Sequence, residues 1–166
     1  MKHSIKIFAI PFLVLAFSQS VSANLPANIS RTQLIQKAEQ GNEEAQLMLA
    51  ARYGKGYTDV PKDCSQSIYW FTRAAEQGSA LGQFSLAMAY EQGDCVQQSH
   101  NEAVKWFKAA AQQNIPIAQA MLAQKYYRGQ GVRQNRAEAK EWTGRACDNG
   151  IESACHNYRL MNEGKY

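Results

Sequence analysis

The sequence predicts an all-α solenoid of antiparallel helix pairs, and a repeat predicts it in two ways. Trp70, Trp106 and Trp142 stand 36 residues apart, and Gly78, Asn114 and Gly150 repeat the same step. A small residue (Ala45, Gly82, Ala118, Ala154) recurs in phase, as do Tyr53, Tyr90 and Tyr126. Self-similarity at this period marks one supersecondary unit stacked on itself.

The chain opens MKHSIKIFAIPFLVLAFSQSVSA. Lys2 and Lys6 precede an apolar run from Ile7 to Phe17, and Val21-Ser22-Ala23 ends in small residues, which is the build of a secretory leader cleaved after Ala23. The run is shorter than the roughly 20 residues that span a bilayer. The expected organisation is a signal peptide at 1–23, a short segment at 24–30, the solenoid at 31–161 and a tail at 162–166. No membrane span is expected after cleavage.

Ser30-Arg31-Thr32-Gln33 reads as a capping box that starts the first helix. Leu34, Ile35 and Ala38 fall 36 residues before Trp70, Phe71 and Ala74, so this helix is half a repeat. The first helix of each full unit carries a small residue, then Leu, Ala and Tyr on one face: Ala45-Leu49-Ala50-Tyr53, Gly82-Leu86-Ala87-Tyr90 and Ala118-Leu122-Ala123-Tyr126. The second carries Trp70-Phe71-Ala74-Ala75, Trp106-Phe107-Ala110-Ala111 and a decayed Trp142-Thr143-Ala146-Cys147. Gly41, Gly78, Asn114 and Gly150 follow helix ends, where a left-handed residue is common. Short turns make successive helices antiparallel. Ala154 to Met161 closes the far end as another half-repeat. The in-phase Trp and Tyr residues are assigned to the core.

Tyr126-Tyr127-Arg128-Gly129-Gln130-Gly131-Val132, followed by Ala139, Trp142 and Ala146, resembles the Sel1-like repeat, a relative of the tetratricopeptide repeat. The resemblance covers about residues 31–161. It implies a right-handed superhelical α/α solenoid of about three Sel1-like repeats plus terminal half-repeats, which binds other proteins, and it does not imply a reaction. The second repeat departs from the loop pattern, with Gly93-Asp94-Cys95-Val96 for Gly-x-Gly-Val. The first has one extra residue within Tyr57-Thr58-Asp59-Val60-Pro61. The cysteines suggest the exported, cysteine-rich branch, some of whose members carry penicillin-binding or β-lactamase labels. The alternative function is therefore a β-lactam- or cell-wall-ligand-binding protein or hydrolase.

Four cysteines allow three pairings. Cys147 falls in the last turn of one helix and Cys155 in the first turn of the next, with Asn149-Gly150 between them. That juxtaposition suits the roughly 4.4–6.8 Å between Cα atoms that a disulfide needs. The cysteine-rich branch similarly bridges neighbouring helices with cysteines eight apart. Zinc, which prefers closer cysteine spacing and further ligands, and a reactive thiol are the alternatives. Cys64 and Cys95 lie at adjoining ends of two consecutive antiparallel helices, which makes their pairing natural. Two free thiols or a link to another chain are the alternatives.

Chemistry beyond this is sparse. The leader carries two of the 18 basic residues and none of the 14 acids, leaving a net +2 for residues 24–166. With export, that small charge argues against a nucleic-acid partner. His100, in an expected loop, reads as solvated, and His156 as a helix-surface or packing residue. No Gly-x-Ser-x-Gly, Ser-x-x-Lys or His-Glu-x-x-His pattern is present. No catalytic residue, metal or cofactor is expected. The candidate binding residues are aromatics outside the repeat pattern, Tyr57, Tyr69 and Tyr127, with Arg128 and Arg133 nearby. A second pool is helix-face residues not used by the repeat pattern: Gln46, Gln83, Gln119, Arg52 and Lys125. The expected protein is a monomeric, periplasmic or secreted adaptor whose protein partner the sequence does not name. A target on host or rival cells is the other destination considered.

Peptide mapping without reductant is expected to recover Cys64–Cys95 and Cys147–Cys155 as linked fragments. A 64–147 or 95–155 link would contradict the helix order.

Overall fold

The computed structural model describes residues 29–57 and 60–165. The leader and its cleavage point lie outside the described residues, as do Thr58 and Asp59 in the longer first loop. Among the described residues the chain forms eight helices: α1 Arg31–Glu39, α2 Glu43–Lys55, α3 Cys64–Glu76, α4 Ala80–Gln92, α5 His100–Gln112, α6 Pro116–Arg128, α7 Arg136–Asp148 and α8 Glu152–Asn162. Packing is concentrated between successive helices. The units are the pairs α2–α3, α4–α5 and α6–α7, flanked by α1 and α8.

Local chemistry explains where each helix starts. Ser30 and Gln33 form the capping box of α1. Asn42 and Ser79 cap α2 and α4, while α6 begins with Pro116, whose missing N–H costs nothing in the first turn. Asp63, Ser99 and Asn135 cap the second helix of each unit. The same three cap residues donate their backbone N–H to the carbonyls of Tyr53, Tyr90 and Tyr126, at 2.9, 3.0 and 2.9 Å. The repeated tyrosine thus marks the point where each loop closes.

The turn between units is also repeated. Gly41, Gly78, Asn114 and Gly150 all have positive φ, at 88°, 89°, 62° and 91°. Each donates its N–H to the carbonyl three residues back, and the next residue donates to the carbonyl five back. This is the Schellman arrangement, which satisfies carbonyls that the helix end leaves unpaired.

Side-chain amides then tie each turn to its neighbours. Gln46, Gln83 and Gln119 each donate through Nε2 to the carbonyl eight residues earlier, on Ala38, Ala75 and Ala111, at 2.9, 3.3 and 3.2 Å. Their Oε1 atoms accept from Gln77, Gln113 and Asn149, the residues just past the end of the following second helix, at 3.0, 2.8 and 2.9 Å. Every relay therefore links three helices through buried amides.

The relay needs close approach. Ala45, Ala118 and Ala154 are buried at the small position. At Gly82 a Cβ would lie 2.8 Å from both the Ala74 Cβ and the Ala75 backbone nitrogen. The apolar core forms two clusters, one from Ile29 to Trp70 and one from Phe84 to Trp142. Leu34, Leu49, Leu86 and Leu122 are fully buried within the stack. Trp70 and Trp142 are buried, but in α5 the buried ring is Phe107, while Trp106 packs part-buried at the edge beneath Lys105. Tyr53 is buried, whereas Tyr90 and Tyr126 are only partly so.

Gly82→Ala should force α3 and α4 apart, because the obstructing atoms are backbone and Cβ. A loss of about 1–3 kcal/mol is expected in urea unfolding, the usual size of an overpacking penalty.

Candidate binding surface

The second pool of sequence-derived binding residues needs correction. Gln46 and Gln119 are fully buried, and Gln83 and Lys125 nearly so. The three glutamines form the amide relay, so the helix face they occupy belongs to the repeat itself. Arg52 is half-buried on α2. Lys125 lies in a polar cluster across the second and third units. Its ammonium donates to Glu91 Oε1 at 2.5 Å and sits 3.4 Å from His100 Nδ1, which is 3.0 Å from Glu91 Oε2.

His100 is thus not a solvated loop residue. It is the first residue of α5, placed there because Ser99 caps the helix, and it is held half-buried by Glu91. The Glu91 carboxylate takes the Lys125 ammonium on one oxygen and faces His100 Nδ1 with the other. The nearest hydroxyl in sequence, Ser99 Oγ, is engaged with the Glu102 N–H. The cluster therefore acts as an ion pair holding two units together, with His100 Nδ1 against the same carboxylate.

Cys64 is bonded to Cys95 and Cys147 to Cys155, with Cα separations of 4.7 and 4.6 Å. Each bridge occupies a contact that the repeat makes elsewhere without covalency. Cys147 and Cys155 hold the register of Ala111 and Gln119, so the bridge replaces the amide-to-carbonyl bond at the last junction. Cys64 and Cys95 are separated by 31 residues, as are His100 and Gly131 one unit later. There the loop presses so closely that a Cβ on Gly131 would lie 2.1 Å from the His100 carbonyl oxygen. Cys95 keeps the positive φ of that loop position, 62° against 71° at Gly131.

What remains outside is a set of residues with no repeat counterpart. Tyr57 and Tyr69 are the large apolar side chains left exposed among the described residues, at 50% and 48%. Tyr57 sits in the first loop, where it pairs through backbone bonds with Val60, and Tyr69 lies on α3 with Arg73 at its ring. Tyr127 is half-buried, with the Arg136 guanidinium 5.8 Å from its ring centroid. Arg128, the last residue of α6, and Arg133, in the loop that follows, are exposed. The two tyrosine sites of the first unit and this loop of the third are on different units and form no single cluster. Arg136 was missed from sequence because it stands at a helix start, where His100 and Cys64 are its counterparts.

Among the described residues, no group of three or more His, Cys, Asp or Glu could hold a metal ion, and no helix is long and apolar enough to cross a membrane.

A family model, the Sel1 repeat, matches residues 43–79, 80–115 and 116–151. These bounds coincide with the three helix pairs. The chain is similar to the secretory immunoglobulin A-binding protein EsiB of Escherichia coli, at 47% identity over 53 residues, which is 31% of this chain and 11% of that protein. A protective antigen of uropathogenic Escherichia coli displaying an SLR fold is 40% identical with a TM-score of 0.72, over 76% of this chain and 27% of its own. A Sel1 repeat protein from Oxalobacter formigenes is 32% identical with a TM-score of 0.71, over 77% of this chain and 96% of its own. The chain thus spans a small part of the first two and nearly all of the third.

Register equivalence of the last bridge can be tested by graft. Cys147→Ser with Cys155→Ser should cost about 2–3 kcal/mol, the usual size for a short disulfide loop. Cys147→Ala with Cys155→Gln should recover about 1 kcal/mol of that by rebuilding the relay bond. Urea unfolding of the two double variants compares them directly. Equal stability would show that the bridge does not occupy the relay position.

Proposed function

The chain belongs to the Sel1 repeat family, and from that we propose that it is an exported, monomeric adaptor that holds another protein on its outer surface. The observation that supports this best is the fate of its polar residues. Glutamines, lysine and histidine that could have formed a site inside the fold are spent on holding repeats together. The residues without a repeat role, Tyr57, Tyr69 and the Tyr127–Arg136 loop, face outward. Exposed aromatic and arginine side chains are those that dominate protein–protein contacts.

Export fits the cysteines. No free cysteine is found among the described residues, and paired cysteines persist in oxidising compartments. The proposed leader at 1–23 would deliver the chain there, to the periplasm or beyond. The name of one relative records binding of secretory immunoglobulin A, over a match of 11% of that protein. A target outside the cell is therefore a destination open to the same kind of surface. The hydrolase reading draws no support from His100, because the nearest hydroxyl in sequence, Ser99 Oγ, caps α5 by accepting from the Glu102 N–H.

Affinity capture tests the proposal. The protein is exported through its own leader, recovered from periplasm and medium, and compared with an unrelated exported protein bearing the same tag. One dominant, reproducible partner is expected, and it should weaken when Tyr57 and Tyr69 are changed to alanine. Turnover of a chromogenic β-lactam above a heat-killed control, with no partner captured, would overturn the adaptor reading.

A further inference from the structure

We propose that the Tyr127–Arg136 loop is a docking edge for an acidic, extended peptide segment of the partner. This rests on the adaptor reading and adds the partner's chemistry to it.

Arg128, Arg133 and Arg136 stand 36 residues after Gln92, Gln97 and His100. The same loop in the second unit, held by the Cys64–Cys95 bridge, carries none of these arginines. No acid occurs between Gln124 and Ala137, whereas the second-unit loop carries Glu91 and Asp94. The positive charge is therefore particular to one unit.

The loop is also tied down by its own bonds. Gln134 Nε2 donates to the Tyr127 carbonyl at 2.7 Å, and the Asn135 N–H donates to the Tyr126 carbonyl at 2.9 Å. Gly131 is seated against the His100 carbonyl. These contacts fix the backbone that carries Arg128, Arg133 and Arg136 within nine residues of chain. Affinity gains when such an edge needs no ordering on binding.

Nearby acids leave the charge unbalanced. On the elements this loop touches, Glu91 is paired with Lys125, Glu102 with Lys105 and Glu141 with Arg145, while Glu138 accepts from the Trp142 indole N–H and keeps its charge against the three arginines. Among the described residues, Arg128, Arg133 and Arg136 form no ion pair, and all three are exposed. A guanidinium fork fits a carboxylate through two parallel hydrogen bonds. Tyr127 beside Arg136 adds apolar contact for the peptide stem.

A lipid surface is a poorer fit. Stable membrane attachment needs an apolar anchor beside the basic patch. The large apolar side chains left exposed, Tyr57 and Tyr69, both lie in the first unit and not at this loop.

The test uses the protein recovered from the periplasm and fluorescence anisotropy of a labelled glutamate-rich peptide. Its glutamine counterpart is the control. The glutamate peptide should bind, weakening as salt rises, and the glutamine peptide should not. Arg128→Gln with Arg133→Gln and Arg136→Gln should weaken binding about tenfold or more, the sum of three partly screened charge contacts. A variant of equal net charge, Lys37→Gln with Lys108→Gln and Arg159→Gln, should bind like the parent. Far-ultraviolet dichroism should match in all three proteins. Equal binding of both peptides, or equal loss in both triple variants, would overturn the proposal. So would loop-dependent binding to phosphatidylglycerol vesicles without peptide binding. A captured partner that survives the arginine-loop variant would leave the adaptor reading standing and remove this loop from it.

Discussion

The stack depends on a buried amide at one position of each unit. Gln46, Gln83 and Gln119 each donate to a carbonyl at the end of the preceding helix and accept from a residue just past the end of the following one. A buried amide left unpaired costs about 1–3 kcal/mol, so each glutamine fixes the positions of three helix ends together. Much else follows. The preceding position must be small, because the donor reaches its carbonyl only when two helices nearly touch. That is why Ala45, Gly82 and Ala118 recur there. The turn beside it must be left-handed, because the same carbonyl already accepts a backbone N–H from Gly41, Gly78 or Asn114.

The disulfides make sense as covalent versions of repeat contacts. The last junction among the described residues has Cys155 in the register of the relay glutamine, so a covalent bond there holds α8 to α7. Cys64–Cys95 works at the loop edge, where the next unit relies on Gly131 resting on the start of α5. The proposed export thus has a structural reason, since bridges of this kind persist in an oxidising compartment. Between those bridges, Lys125 and Glu91 join the second and third units by charge.

Much of this was legible in the sequence, and the limits are instructive. The 36-residue step gave the helix pairs, the half-repeats and the turn residues, because backbone requirements recur wherever the unit recurs. The capping box at Ser30 and Gln33 was readable because its chemistry is local. The relay glutamines carried the same in-phase signal as the tyrosines, yet a polar side chain on a helix reads as solvent-facing unless its partners are known. Lys125 offered no such signal, since Arg52 and Ala89 are its counterparts and neither makes its contact with Glu91. The exchange of burial between Trp106 and Phe107 depends on how α5 is rotated, which periodicity leaves open. Surface residues such as Arg136 were hardest, because a departure from the repeat is visible in the sequence but its exposure and its contact with the Tyr127 ring are not.

Urea unfolding of Gln83→Leu tests the central claim most directly. The substitution nearly keeps the volume, but it takes one donor from the Ala75 carbonyl and the buried acceptor from the Gln113 amide. A loss of about 1–3 kcal/mol is expected, with the denaturant dependence unchanged. A variant as stable as the parent would contradict the account, since the buried amide would then hold nothing together.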